Sequence, residues 1–550
     1  VTAVADLPRI FCAAQQVKAG RKAARFARPM LRLWDGDWNL RGVIAGEVSA
    51  EFRWLLNDAG TGTVVLPWDH HLAQWTVDPY GRAKQNVHIT CDDRNGSRWD
   101  GRLEKAAIKT DDKGVTTIEL TFLHSIQELK FIYCWSNPLT PALVQVPREF
   151  VLFGPSVWTL KTAVFLQIFR LSSSIWAVPD DPLDVRQWID LDQSTWPIVV
   201  TPTDFLADGS LWTVFGSRWK SFMVAAADTL DMAQLRIVTR RWLAGDPPPW
   251  PGAVLRNGCL VVDIIAQDAW SGTAEHGDAF TGLVHTAQVL ANDFLEQSSY
   301  VLPDPDAPDE YRTPGWLGSL PGVPWVVYRP GAHTGIQSSQ FEYWPFTAVQ
   351  MLTGGHSLSM VNELISVGIQ ASIDLAAAAV LGEAYGLAAA GQIVDTLLRP
   401  FYMDTIAAWM SYKDAGRAYT AGWSHYFEYF EQSPDKAYTL SSVLTLAAAL
   451  WKTRRRFVHK MTIADGAPFL VGETGKGHFF LGDRIGSTAK GMPPGQIYVE
   501  RVSELVRAWS RTSAPEWQIT IGSNNDDEPM SKALRMLSDV VGDLHDLGVA

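Results

Sequence analysis

Apolar and polar positions alternate in short runs along residues 31–133, the two-residue period of strands with one buried face. Val48, Ala50, Phe52 and Trp54 alternate with polar or charged neighbours up to a turn at Asn57–Gly60. Ile118, Leu120 and Phe122 alternate with Thr117, Glu119 and Thr121, after a turn at Asp111–Gly114. Leu31 to Trp34 and Trp38 to Leu40 flank Asp35-Gly36, a hairpin dipeptide. Six or so strands in about 100 residues predict a small antiparallel barrel or sandwich.

The pattern then changes. Residues 136–205 are broken by Pro and Trp and give no clear element, whereas Phe222 to Val238 reads as a helix followed by a strand. Asp246 to Gly252 (DPPPWPG) interrupts the chain, and Cys259 to Ile265 (CLVVDII) reads as a buried strand. Residues 301–345 are proline-rich, a composition that wraps over other surfaces. From Ser357 to about Arg456 the texture becomes helical, dominated by Ala, Leu, Ile and Val. Gly382, Gly386 and Ala390 fall four apart and share one helix face, a stripe suited to close helix–helix contact. Ser441 to Trp451 forms a second helical stretch closed by Lys452, Arg454, Arg455 and Arg456. Strands return from Met461, at Phe469–Val471, His478–Leu481, Gln496–Val502 and Trp517–Ile521, before a last helix at Met530–Leu544.

These textures divide the chain into seven parts. They are a basic N-terminal arm (1–30), a first β domain (31–135), a mixed α/β part (136–300) and a proline-rich wrapping segment (301–356). An Ala-rich helical region (357–460), a second β domain (461–525) and a C-terminal helix (526–550) complete it. The fold class expected is α+β and multidomain, with two small antiparallel barrel or sandwich domains.

Composition narrows the function. The net charge of −12 argues against a general nucleic-acid binder, which presents a basic field to phosphates. Twenty-four tryptophans suit a subunit with much partner-facing surface, because indole joins a large apolar body to a polar edge. Cys12, Cys91, Cys134 and Cys259 lie far apart without metal-ligand spacing and are expected as mostly buried, reduced thiols. The apolar stretch at the start is too short and broken for a signal sequence.

No catalytic, cofactor or metal site is expected. Gly472 to Gly477 (GETGKG) lacks the Walker A spacing and the Ser or Thr after its lysine, so it reads as a Gly-rich connection. There is no GxSxG elbow, and no carboxylate pair stands in a recognisable frame. His276, Asp278 and His285 read as surface residues, and His70-His71 as strand neighbours pointing to opposite faces. Residues 375–394 have membrane length and one charge, Glu383, but their Ala and Gly content favours a packed interprotomer helix over a triggered insertion. Lys18, Arg21, Lys22, Arg25, Arg28 and Arg32 form a basic run in an acidic protein, either a solvated helix face or a docking element for an acidic neighbour.

Two stretches carry a family likeness. LRLWDGDWNLRGVIAGEVSAEFRWLLNDAGTGTVVLPWD, with Trp34, Asp35 and Gly36, resembles the opening of minor tail proteins of long-tailed actinobacterial phages. GHFFLGDRIGSTAKGMPPGQIYVERVSELVRAWSR and PEWQITIGSNNDDEP resemble that family's C-terminal part, through Gly482, Asp483, Arg484, Gly486, Tyr498, Trp517 and Gly522. The resemblance implies a tail-tip or baseplate hub: a homotrimer in which each chain supplies two tube-like β domains that adapt a sixfold tail tube to a threefold tip. The partners it implies are the distal tail and tail-tube proteins, the tape-measure protein, and other minor tail proteins or fibres. The host envelope is a further surface, and the role is structural rather than enzymatic. Two other readings fit the composition, a cell-wall glycan-binding or glycan-cleaving protein and a membrane-active tip protein.

Overall fold

The computed structural model describes residues 7–522 apart from 148–149, 174–175, 177, 268–278, 280–299, 304–325, 332–334, 355–408, 433–439, 464–467, 474–475 and 494–495. The alternating N-terminal region forms seven strands: β1 (Met30–Asp35), β2 (Leu40–Ile44), β3 (Ser49–Leu55), β4 (Thr61–Pro67), β5 (Val87–Asp92), β6 (Arg98–Thr110) and β7 (Thr116–His124). Every second side chain of β3 and β7 points into one core, where Phe52, Leu120 and Phe122 are fully buried. The strands run in the order β2-β1-β5-β6-β7-β4-β3.

The sheet does not stop at β3. Strand Gln496–Ser510 pairs antiparallel with it, setting Leu505 opposite Trp54 and Trp509 opposite Ala50. The same strand carries Glu516–Ile521 along its C-terminal half and Arg484–Ser487 along its N-terminal half. Tyr300–Pro303 and Val327–Tyr328 complete twelve strands. The two β regions expected as separate domains therefore share one sheet. Among the described strands no pairing closes it, so the barrel geometry is not seen. Alternation fixes which face of a strand is buried, but not which distant strand receives its N–H groups.

A second layer lies on this sheet. Strand Leu260–Ala266 is flanked by Ile198–Val200, parallel, and Leu235–Arg241, antiparallel. Helices Ser156–Ser172 and Phe222–Met232 pack here, burying Leu160, Val164, Phe222, Ala226 and Leu230. The helix and strand expected over 222–238, and the strand over 259–265, are present. Helix Ser156–Ser172 was not legible among the aromatics, although Val157, Leu160, Val164 and Ile168 follow helical spacing.

Two further expectations are corrected. The region 357–460 is not helical throughout: Trp409–Lys413 and Glu428–Gln432 flank Gln350–Gly354 in a three-stranded sheet, followed by helix Leu440–Thr453. His70 and His71 are not strand neighbours, because His70 Nδ1 accepts from Leu72 N–H and caps helix His71–Val77, with the two rings stacked at 4.9 Å. Cys12 is exposed on helix Leu7–Arg25, whereas Cys91, Cys134 and Cys259 are buried. Gly382, Gly386, Ala390, the histidines 276 and 285, Asp278 and the C-terminal helix lie outside the described residues.

Candidate functional site

The two layers meet along the hairpin formed by Leu235–Arg241 and Leu260–Ala266, which is gripped at both ends. At one end the grip is the β1–β2 turn. The Asp35 carboxylate accepts from the backbone N–H groups of Asp37 and Asn39 at 3.0 and 2.9 Å and from the Asn39 amide, and it pairs with Arg41. Burial pushes its pKa up, and these donors outweigh that, leaving it below the usual carboxylate range. The turn so fixed puts Trp38 at φ +61° and sends its indole across to the second layer.

Trp38 stacks on His88 of β5, with centroids 4.5 Å apart and planes at 22°, while the Arg241 guanidinium of the second layer lies 4.9 Å from the indole on its way across. Asn257 donates to the Trp38 carbonyl at 2.7 Å. Burial, together with the charges of Arg241 and Arg102, pushes the His88 pKa down to about 3, so the ring is neutral at physiological pH. Trp34, the strand residue before Asp35, is buried and donates to Thr90 Oγ1 at 3.1 Å.

At the same end, Arg98 of β6 joins the layers. It bonds Asp92 and Asp246, each at 2.5 Å, and donates to the Arg241 carbonyl at 2.9 Å. Burial raises the Asp246 pKa, but the Arg98 bond, the Leu243 N–H and the nearby positive charge overcome it, so Asp246 stays below the usual range. Arg241 in turn pairs with Glu128, and its backbone N–H donates to Asp100 at 3.1 Å.

At the far end stand Gly482 and Asp483. Gly482 has φ +82°, and a β-carbon there would sit 1.9 Å from Gln267 Oε1. Asp483 accepts from Gln267 Nε2 at 3.0 Å and from Phe480 N–H at 2.8 Å. Burial pushes its pKa up to about 6, against the pull of the Phe480 N–H and Arg236. Arg236 bonds Glu473 at 2.9 Å and lies over the Phe480 ring at 5.3 Å. Asp483, Gln267, Arg236, Glu473 and Phe480, with Asp263, line a cavity of about 440 Å³.

The sequence-derived signature thus falls into two groups. Trp34, Asp35 and Gly36 build the turn that aims Trp38, with Gly36 closed over Lys84. Gly482 and Asp483 hold the opposite end. Arg484 and Gly486 continue into the sheet, where Gly486 N–H donates to the Val326 carbonyl at 2.8 Å. Tyr498 packs on Phe341 at 4.7 Å, Trp517 on Trp54 at 5.3 Å, and Gly522 at φ +93° fits against Val458 and His459. Glu473, read only as part of a Gly-rich connection, is an ion-pair partner. Trp38, Arg98, Arg236, Gln267 and Gly258 had no signal beyond the Asn257-Gly258 turn dipeptide. Among the described residues no group of His, Cys, Asp and Glu is placed to hold a metal ion. What the arrangement does physically is fix two layers in one orientation.

The model of the family described as Siphovirus ReqiPepy6 Gp37-like protein (Sipho_Gp37) matches residues 30–523 of this chain. Minor tail protein Gp28 of Mycobacterium phage D29 is 32% identical to it over 584 residues, covering 98% of this chain and 97% of the phage protein. Minor tail protein Gp28 of Mycobacterium phage L5 matches with the same identity and coverage. Among solved structures, the chain is similar to a tail protein from Neisseria meningitidis MC58 at 10% identity and TM-score 0.38, covering 90% of this chain and 97% of that one. It is also similar to prophage tail protein gp18 from Listeria monocytogenes EGD-e at 10% identity and TM-score 0.39, covering 93% and 99%.

Proposed function

From the premise that this chain belongs to the Siphovirus ReqiPepy6 Gp37-like family and is a siphophage minor tail protein, a component of the virion tail, we propose that it is the structural hub of the tail tip. As a hub it closes the distal tube as a homotrimer and adapts sixfold to threefold symmetry. It engages the tail-tube and tape-measure proteins and carries fibres during host attachment and DNA delivery. It works by holding shape, without hydrolysing cell-wall polymer.

One observation carries this reading: the pairing of β3 with Gln496–Ser510, which ties residues near both ends of the chain into a single sheet. A subunit that must keep ring geometry while tail components pull on it gains from main-chain bonds between distant segments, because those two segments can separate only by breaking the ladder that joins them. The grips at Trp38 and Gly482 extend that rigidity to the second layer. Gold-labelled antibody against this chain should mark the distal tail end of intact virions, and the purified chain should sediment as a trimer. Label along the shaft or at the head-proximal end overturns the proposal, and so does peptidoglycan hydrolysis by the purified chain.

A second reading, binding of cell-wall glycan, is favoured by the exposure of Tyr419, Trp423 and Tyr426 around strand Glu428–Gln432. Aromatic rings open to solvent offer flat apolar platforms with polar edges. Retention on cell-wall arabinogalactan, lost on replacing Trp423 with Ala, separates it from a hub that touches only protein. The membrane-active reading has no such support: among the described residues no helix is long and apolar enough to cross a membrane, and residues 375–394 lie outside them.

A further inference from the structure

Helix Leu7–Arg25 carries five basic residues and no acid. Wherever its side chains are described they are exposed, including Ile10, Phe11 and Val17, with Phe11 at 64%. Phe11, Lys18 and Lys22, at spacings of seven and four, lie along one row of the helix. A lone helix of this length is marginal in water, and apolar side chains on such a row are stabilised only by another surface.

The opposite chemistry is displayed by residues 178–192 (VPDDPLDVRQWIDLD), with five acids and one base. Leu183, Val185, Ile189 and Leu191 are exposed there, Leu183 at 92%. The segment is built rather than loose. Asp181 and Asp184 accept from the N–H groups two residues on, at 3.0 and 3.1 Å. Trp188 donates to the Pro182 carbonyl at 3.1 Å, and buried Trp196 to the Asp190 carbonyl at 3.0 Å. Apolar side chains are thereby held outward between carboxylates.

We infer that the basic helix Leu7–Arg25 of one copy docks on residues 178–192 of a neighbouring copy. Both surfaces are open on the same chain, and each supplies what the other lacks. With the helix at +5 in a chain of net −12, the remaining residues balance to −17, so any neighbouring copy is an attractive field for it. Apolar contact between Phe11 or Ile10 and Leu183 or Val185 supplies short-range affinity, since exposed ion pairs alone contribute little. The inference rests on the hub reading in one respect, that copies meet.

The test uses two charge-reversed full-length chains, Lys18→Glu/Lys22→Glu and Asp180→Lys/Asp181→Lys, measured by sedimentation velocity at micromolar concentration. All four positions are exposed, and unchanged circular dichroism confirms folding. Each variant alone should lose association on the order of tenfold relative to the wild type. An equimolar mixture of the two should recover it, because the reversed helix then meets the reversed segment. Wild-type association should also weaken at about 0.5 M salt, where screening acts over a few ångströms. A wild-type chain that stays monomeric overturns the meeting of copies, and this contact with it. Variants that assemble as the wild type does leave the oligomer standing and overturn this contact. Variants that stay apart both singly and mixed show that helix and segment do not pair with each other, as would capture of the helix within its own chain or by another partner.

Discussion

The Trp38 indole occupies the space that a β-carbon on Gly258 would need: built there, that carbon would lie 1.9 Å from Trp38 Cγ. Gly258 also sits at φ +82°, a backbone conformation that L side chains rarely adopt. The contact joins the β1–β2 turn to the end of the gripped hairpin. It leaves neither partner room to change alone.

Gly258→Ala should therefore destabilise the protein by on the order of 3 kcal/mol, from overpacking and backbone strain together. Urea denaturation followed by tryptophan fluorescence measures it. Pairing it with Trp38→Ala should cost less than the sum of the two single changes, because the clash disappears while the strain remains.

Arg98→Met should cost about 3 kcal/mol or more. Asp92 keeps Arg32 at 2.7 Å, but Asp246 is left with the Leu243 N–H and no direct cation. Arg98→Lys keeps the charge yet not the fork that reaches Asp92 and Asp246 together, so it should recover only part of the loss. Thermal unfolding of the three proteins ranks them.

Asp483 makes stability depend on pH in a direction unusual for a carboxylate. Its pKa is raised to about 6 in the fold from an ordinary 3.8. Between those values the native state holds a proton that the unfolded chain has released, so stability falls as pH rises through the window, by up to ~3 kcal/mol. Asp483→Asn cannot ionise. The stability of Asp483→Asn relative to wild type should therefore grow from pH 4 to pH 7, and a difference that stays flat contradicts this account.

Arg507 and Asp93 are both buried, with the Arg507 Nε 3.2 Å from Asp93 Oδ2. Burial pushes the Asp93 pKa up and the Arg507 charge pulls it back. Arg507→Met should cost about 3–5 kcal/mol by stranding a buried carboxyl, whereas adding Asp93→Asn should restore much of it. A double-mutant cycle in guanidinium chloride reads the coupling.

Local elements were legible wherever a periodic pattern acted alone. Phe52 and Trp54, or Ile118 and Leu120, reveal their strands because side-chain alternation is a property of a few consecutive residues. Helix Leu440–Thr453 was visible from its apolar spacing and basic end. Strands Trp409–Lys413 and Glu428–Gln432 were not, being short and half polar beside an Ala-rich stretch whose composition dominated the reading. Of the site, Asp35-Gly36 was visible as a hairpin dipeptide, and Gly482-Asp483 only through the family likeness. Arg98 and Arg236 were not, because an arginine in a strand looks the same in sequence whether it meets water or a carboxylate across the layers.

The sequence by itself determined several strands of the β regions, among them Ser49–Leu55, Thr116–His124 and Glu516–Ile521, with the second-layer strand at 259–265, the helix starting at Phe222, and the family to which the chain belongs. Each depends on residue types at short spacing, where backbone geometry dictates the period. The sequence missed Arg98–Thr110 and Arg484–Ser487, and the strands expected at Phe469–Val471 and His478–Leu481 are reduced to a single bridge between Val471 and Phe479. Only the tertiary structure decided that Leu505 lies opposite Trp54, that Trp38 fills the space at Gly258, and that Arg98 bridges Asp92 to Asp246. Apart from Arg98 and Asp92, those pairings join residues more than a hundred positions apart. They are selected by the packing and hydrogen bonding of whole layers, an energy no local stretch of chain contains.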